Sequence, residues 1–428
     1  MSELDLQALL GAHASEHSVP GAALGVLRDG VALVACWGVA DVRTGEPVAP
    51  DTGFSVGSLT KSMVATVIVC LAEQGGLALD DPVAAHVPEL RACGWAQHST
   101  VRDLLANRSG LPLSERLEFG FLERAGNDDG ALSRLASDVA VTVPAPGFWS
   151  YSNVGWCLAG RAIETVTGAP WEEAMHAELG GAIGMRETSF TTDAASMQRV
   201  TGHNLTAEGP LPVKPLVARA YAPAGIGPTS TVGDLLRFAE THLDNPALAE
   251  MRTVHSDVAI SGWLDAWGLG WARFDWPGAT VWGWDGLIDG ERSVLRIVPE
   301  QRAAAVLMTN GSSGRAMYRS LFAVLMPSLF KIAIPPIHLE PSAGAAGDLA
   351  HYQGVYAWPD RRVQVSPTKH GLLITGDDGE AQARPLDRRT FLVDAADPDT
   401  PTITFGAFDS TGRPRVLYSM LWGLPRIS

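Results

Sequence analysis

Lysine is nearly absent from this 428-residue chain: only Lys61, Lys214, Lys331 and Lys369 occur, and the net charge is -15. Such a surface repels phosphate backbones and anionic lipid and offers no basic patch, which argues against nucleic acid or a membrane as partner. The four cysteines, Cys36, Cys70, Cys93 and Cys157, lack the paired spacings of disulfide frameworks and metal sites, so they read as buried free thiols. No long apolar run is present either. The longest, Met63 to Ala72, reaches roughly 15 Å as a helix, half the thickness of a ~30 Å hydrocarbon core. The opening MSELDLQALLGAHASEHSVPG has no basic start, apolar core and small-residue cleavage site, so it does not read as a signal peptide and predicts a cytoplasmic location. The eleven histidines include no H-E-x-x-H, and neither a metal site nor a cofactor is expected.

What remains is an ordinary globular composition, 46% hydrophobic and 18% charged, too long for one core to organise alone. Residues 4 to 17 read as an amphipathic helix, and GAALGVLRDGVALVACWGVAD reads as two strands around Arg28-Asp29-Gly30. Helix signals then fall from Ser58 to Gly75-Gly76 and near 101 to 106, 131 to 140, 154 to 167 and 171 to 179, predicting an all-helical insertion over about 58 to 240. Strand patterns return at 280 to 284, 291 to 298 and 303 to 309, followed by a helix over 315 to 329. The fold class expected is α+β: an antiparallel sheet flanked by helices, with an all-helical lobe, over residues 1 to 332. Residues 333 to 347, rich in Pro, Ala and Gly, read as a linker. From 348 to 428, GVYAW, RVQVS, GLLIT, TFLVD, TITFG and RVLYSML suggest a small antiparallel β-barrel, lipocalin-like, or a sandwich.

The chemistry gathers in Ser58-Leu59-Thr60-Lys61, which opens a helix whose continuation SMVATVIVCLA is apolar all round and therefore buried. Positions three apart share a helix face, so the Lys61 amine can reach the Ser58 hydroxyl and act on its proton. The free N–H groups of the helix start favour a developing oxyanion there. The spacing S-x-x-K is not decisive in itself, because Ser328 to Lys331 and Ser366 to Lys369 also fit. Context separates them: Ser366 precedes a proline in a β segment, and Ser328 closes a helix.

Tyr151-Ser152-Asn153 follows the turn-rich VPAPGFW, and residues two apart in an extended segment point the same way. Tyr151 can then relay a proton while Asn153 holds Lys61 or binds a substrate amide. The bland alternative is a loop tyrosine beside an N-cap asparagine. Near the third strand group lie Trp263, Trp267, Trp271, Trp276, Trp282 and Trp284. Trp282 and Trp284 share a strand face and can line an apolar cleft, or simply pack.

GSLTK, YSN about ninety residues later, and a glycine-containing strand corner far downstream together resemble class C β-lactamases, serine D-peptidases and related esterases. The resemblance covers roughly residues 5 to 330, with FSVGSLTKSMVA, GGLALDDPV, TVRDLLANRSGLP, PGFWSYSNVGW and IVPEQRAAAVLMTNG as supporting phrases. It implies Ser58 as acylated nucleophile, Lys61 and Tyr151 as acid/base pair and Asn153 as substrate binder. The family's third motif, a Lys or His, a small residue and Gly, is matched here by Trp284-Asp285-Gly286. An indole neither carries a proton nor attracts a carboxylate as that cation does, so Trp284 departs from the pattern. The resemblance still implies Leu287 N–H and Ser58 N–H as the oxyanion donors. Asp285 reads as a solvated or cation-binding carboxylate, since no histidine completes a triad.

The function expected is acyl transfer through an ester on Ser58, with a neutral ester, thioester or amide as donor and water or an amine as acceptor. The loss of the cation argues against a β-lactamase or D-carboxypeptidase. A natural-product transacylase or thioesterase ranks first, an intracellular esterase or D-amino-acid amidase next, and a non-catalytic ligand-binding relative is the rival of another class.

Overall fold

A computed structural model describes residues 4–111, 120, 123–140, 148–191, 198–258, 260, 264–288, 290–335, 341, 347–358, 361–377, 379–394 and 402–428. Trp263 and most of the 333–347 linker segment lie outside the described residues.

Helix α1 (Leu6–Glu16), capped by the Asp5 carboxylate on Ala8 N–H, leads into strands β1 (Gly21–Arg28) and β2 (Val31–Gly38). Their two-residue turn has positive φ at both Asp29 (51°) and Gly30 (76°), the twist that suits a tight hairpin. Five further strands complete the sheet: β3 (Ala266–Trp267), β4 (Ala272–Trp276), β5 (Ala279–Ile288), β6 (Glu291–Val298) and β7 (Ala303–Thr309). The order is β2-β1-β7-β6-β5-β4-β3, antiparallel throughout. β6 and β7 are buried along their whole length, so both faces of the sheet are covered, whereas β2 is an exposed edge.

One face carries α1 and helix α5 (Gly314–Phe330), which meet where His13 and His17 reach Ser320. The other carries helix α4 (Val232–Asp244), whose Val232 and Leu236 press so closely on Gly25 of β1 that a side chain there would collide with them. Beyond it lie helices α2 (Thr60–Glu73) and α3 (Asn153–Thr167). The insertion expected over about 58 to 240 is mostly helical but also contains short strands. A hairpin pairs His203–Thr206 with Gly209–Pro212, and Phe54–Ser55 pairs with Thr229–Ser230. The first of these is largely exposed and contains Pro210 and Pro212, so it carries neither alternation nor β-branched signal. The helix expected over 171 to 179 runs α-helical only to Met175 and then widens into a π-type stretch to Ile183.

The C-terminal residues build eight antiparallel strands in sequential order, β8 (Gly354–Trp358) to β15 (Trp422–Pro425). Val355 N–H bonds the Ser428 carbonyl (3.1 Å) and Ile427 N–H the Val355 carbonyl (2.8 Å), so the last residues nearly close the barrel against β8. Its own core centres on Tyr356, Leu372, Phe391 and Phe405. Two strands escaped the sequence reading, Gly379–Pro385 and Trp422–Pro425. The thiols are all free, but only Cys157 is buried; Cys36, Cys70 and Cys93 are half-buried. Among the described residues no helix is long and apolar enough to cross a membrane.

Candidate active site

Ser58 sits in a tight 3₁₀ turn, Gly57–Leu59, that runs directly into α2. Because α2 is buried on nearly every side, its polar side chains need internal partners. Ser62 Oγ donates to the Gly270 carbonyl (2.6 Å) and Thr66 Oγ1 to the Ser62 carbonyl (2.7 Å). Lys61 is fully buried, and its ammonium donates to Ser58 Oγ at 3.1 Å and to the Ala224 carbonyl. Its Nζ also lies 4.9 Å from the centre of the Tyr151 ring. Hydroxyl, amine and phenol are thus gathered in one place, with Lys61 and Tyr151 buried and Ser58 half-buried.

The turn is held from below by β6. Glu291 accepts a bond from Ser55 N–H (2.8 Å), and Ser293 Oγ donates to the Ser55 carbonyl (2.6 Å). Burial pushes the Glu291 carboxyl up, opposed by Arg199, whose guanidinium lies 3.3 Å away. Strand β5 closes the turn from the side. Gly57 has φ of 49°, and a Cβ on it would stand 2.7 Å from Leu287 N; a Cβ on Gly286 would fall 1.9 Å from the Val56 carbonyl oxygen. Only glycines permit this approach, which brings the Leu287 backbone beside that of Ser58.

Tyr151 arrives on the segment entering α3. Ser152, not Asn153, is the N-cap, its Oγ accepting from Gly155 N–H (3.1 Å), which leaves Asn153 half-buried at the first helical position. The segment is moored by Asn107, a residue with φ of 54°: its carbonyl accepts from Ser150 N–H (2.8 Å) and its side-chain oxygen from Trp156 Nε1 (3.1 Å). The sequence reading passed over Asn107, although an asparagine between a helix end and a glycine turn is a usual mark of that conformation.

Trp284 lies 3% exposed against Tyr151, ring centres 5.7 Å apart, and its Nε1–H points to the phenol oxygen at 3.4 Å. The indole therefore offers a weak donor to Tyr151, a role its sequence did not suggest. Trp267 packs edge-on to Trp284 at 4.8 Å, and Trp149 touches both Trp267 (6.0 Å) and Tyr151 (6.4 Å). Trp271, Trp276 and Trp282 are buried as well, so packing accounts for them.

Asp285 is not brought to Ser58. It alternates with Trp284 to the opposite sheet face, where Arg296 (2.7 Å) and Arg292 (3.3 Å) grip its carboxylate. Arg296 in turn donates to the Tyr318 hydroxyl on α5 (2.9 Å). Of the two readings open for it, solvated or cation-bound, Asp285 is a cation-bound carboxylate, and it is not among the groups that could touch a substrate at Ser58.

A buried Ser-x-x-Lys at a helix start, a tyrosine facing that lysine, and a glycine strand corner against the serine all lie on one antiparallel sheet. The Beta-lactamase family model matches residues 6–324. This chain belongs to the beta-lactamase family. As a member of that serine hydrolase family it is 31% identical over 365 residues to penicillin-binding protein 4 of Amycolatopsis lactamdurans, covering 80% of this chain and 94% of that one. With esterase EstB of Burkholderia gladioli the identity is 30% over 308 residues, covering 62% and 78% respectively. Among solved structures, the crystal structure of SurE superimposes with a TM-score of 0.85 at 29% identity over 98% of each chain. That of SurE with D-Leu gives 0.81 at 28% over the same shares. Both likenesses extend past the family match to the barrel.

Proposed function

We propose that this family member is an acyltransferase of the transacylase or thioesterase type, working through an ester on Ser58 Oγ. The observation that carries the reading is the Lys61 Nζ to Ser58 Oγ contact of 3.1 Å beside the Tyr151 ring, on which the Trp284 indole packs. In this reading the Ser58 proton passes to the Lys61/Tyr151 pair as Oγ attacks the acyl carbon. Ser58 N–H and Leu287 N–H hold the oxyanion, and the departing thiol or alcohol takes the proton back. Asn153 binds the acyl chain's amide. An amine then attacks the ester and frees Ser58, or water does so.

Two features support transfer over hydrolysis of a carboxylate-bearing substrate. Trp284 stands where the family's third motif carries a cation. The chain is similar over almost its full length to SurE, which has been crystallised with D-Leu. An apolar D-aminoacyl group is accordingly the class of donor or acceptor proposed here. A cavity of about 830 Å³ opens between the helical region and the barrel, bounded by Trp149, Arg108, Asp257 and Arg389; Ser58, Lys61 and Tyr151 are not among its lining residues, so it carries no part of this reading. The likeness to esterase EstB favours a second reading, a plain esterase.

Incubation with an apolar D-aminoacyl thioester, followed by intact-protein mass spectrometry, tests the first step. A single acyl adduct is expected, lost in Ser58→Ala, with acylation about 10²- to 10⁴-fold slower in Tyr151→Phe. Turnover by Ser58→Ala within a few-fold of the parent rejects the nucleophile. Added amine should divert product from acid to amide, whereas a ratio insensitive to amine leaves the esterase.

A further inference from the structure

The sequence has no H-E-x-x-H, but α1 ends in the reversed order His13-Ala14-Ser15-Glu16-His17. Positions i, i+3 and i+4 share one helix face, so the two imidazoles and the carboxylate point together. That face meets α5, on the sheet side opposite Tyr151, and none of the chemistry described above uses it. Ser320 is the meeting point: its Oγ lies 2.9 Å from His13 Nδ1 and 2.7 Å from His17 Nε2. The same hydroxyl donates its proton to the Met317 carbonyl (3.1 Å). Both imidazoles must then present N–H to its lone pairs, and two ring nitrogens converge on one oxygen. Glu16 Oε2 stands 3.7 Å from His13 Nδ1, and one ligand atom from each of His13, Glu16 and His17 lies within 4.8 Å of the others.

A tetrahedral ion with bonds of about 2.0–2.1 Å needs its ligand atoms roughly 3.4 Å apart, so the cluster has to contract by about an ångström. Rotation of the half-exposed His17 and the exposed Glu16 supplies that. A net charge of -15 raises the local concentration of cations around the whole surface.

We propose that His13, Glu16 and His17 form a binding site for a divalent transition-metal ion of the zinc class, completed by Ser320 Oγ or a water. Two imidazoles and one carboxylate suit zinc or nickel and not calcium or magnesium, which prefer oxygen alone. On binding, each ring turns a lone pair to the ion at the nitrogen that had faced Ser320, and its proton resides on the other ring nitrogen. Only coordination bonds form and no electrons are transferred. The bound ion ties the end of α1 to α5 and so fastens the N-terminal helix to the sheet.

The test is calorimetric titration of the EDTA-treated full chain with zinc chloride, paired with thermal unfolding. One equivalent should bind with micromolar affinity and raise the melting temperature. His13→Ala and His17→Ala should each weaken binding by about tenfold or more, with far-UV circular dichroism confirming that both fold. Ser320→Ala removes only the shared hydroxyl and should bind zinc within about threefold of the parent, since the ion can take water in its place. Absence of saturable binding in the parent, or parental affinity retained in either histidine variant, overturns the proposal. So does a thiolate-to-metal absorption band on cobalt substitution, because Cys36, Cys70, Cys93 or Cys157 would then be the ligands.

Discussion

Trp284 illustrates how one substitution changes a site without emptying it. Its indole N–H reaches the Tyr151 oxygen at 3.4 Å, a distance at which a hydrogen bond is weak. Trp284→Phe keeps the ring packing and removes the donor, so acylation should slow by only about threefold, the low end for a neutral bond of ~0.5–1.5 kcal/mol. A loss of a hundredfold in stopped-flow acylation would mean that the indole carries the proton itself. Trp284→His, by contrast, introduces a polar group that can hold and deprotonate water, and should shift product from amide towards acid at fixed amine. The neighbouring Asp285 marks the opposite lesson. Strand alternation assigns it to the face away from Trp284, so a carboxylate adjacent in sequence to a site residue pairs with Arg292 and Arg296 instead.

Between elements, the joint of α2 and α4 is as telling as the site it supports. Thr66 Oγ1 gives its proton to the Ser62 carbonyl and therefore accepts from His242 Nε2–H at 3.0 Å, leaving Nδ1 as the lone pair facing Arg252 at 3.4 Å. Burial, aided by Arg252, lowers the His242 imidazole to about 3. The unfolded chain takes up this proton near pH 6.5 and the folded one does not, so stability is full above that pH. It falls as the pH drops towards 3, by up to about 1.4 kcal/mol per unit. His242→Gln can still donate to Thr66 and has no such proton; urea midpoints at pH 7 and pH 5 should lie closer together in the variant than in the parent. The helix over 131–139 was readable because its periodicity is strong and α2 because its run is apolar all round, whereas α4 was not singled out; Ser58 and Lys61 come together as positions three apart at a helix start. β3 was not readable, since two residues leave no pattern, β4 was passed over although ARFDW alternates buried and accessible positions, and Gly379–Pro385 was lost because GEAQARP is mostly polar. The 203–212 hairpin failed for a third reason: it is held by backbone pairing at the surface, with little side-chain burial to leave a pattern.

At the scale of the whole molecule, the barrel meets the rest of the chain through aromatic contacts next to Tyr151. Tyr418, 4% exposed, packs edge-on to Trp149 at 6.0 Å and hydrogen-bonds its backbone, while Phe148 meets Trp358 at 6.0 Å. We propose a division of the chain at the 333–347 segment. On that basis, residues 1–332 alone should keep near-native far-UV circular dichroism but bind hydrophobic dye at the uncovered Phe148 and Trp149. Acylation should slow because Tyr151, two residues on, loses its support; a molten fragment would mean a single shared core. The milder Tyr418→Ala opens a cavity under Trp149 and should cost about 3–5 kcal/mol of stability. The same run of rings has an optical consequence. Trp149, Trp267 and Trp284 sit within 6.0 Å of a neighbour and around Tyr151, close enough for their transitions to couple. The near-ultraviolet dichroism and emission of the unlabelled protein should therefore be dominated by the site itself, so that an acyl group arriving on Ser58 writes its own signal.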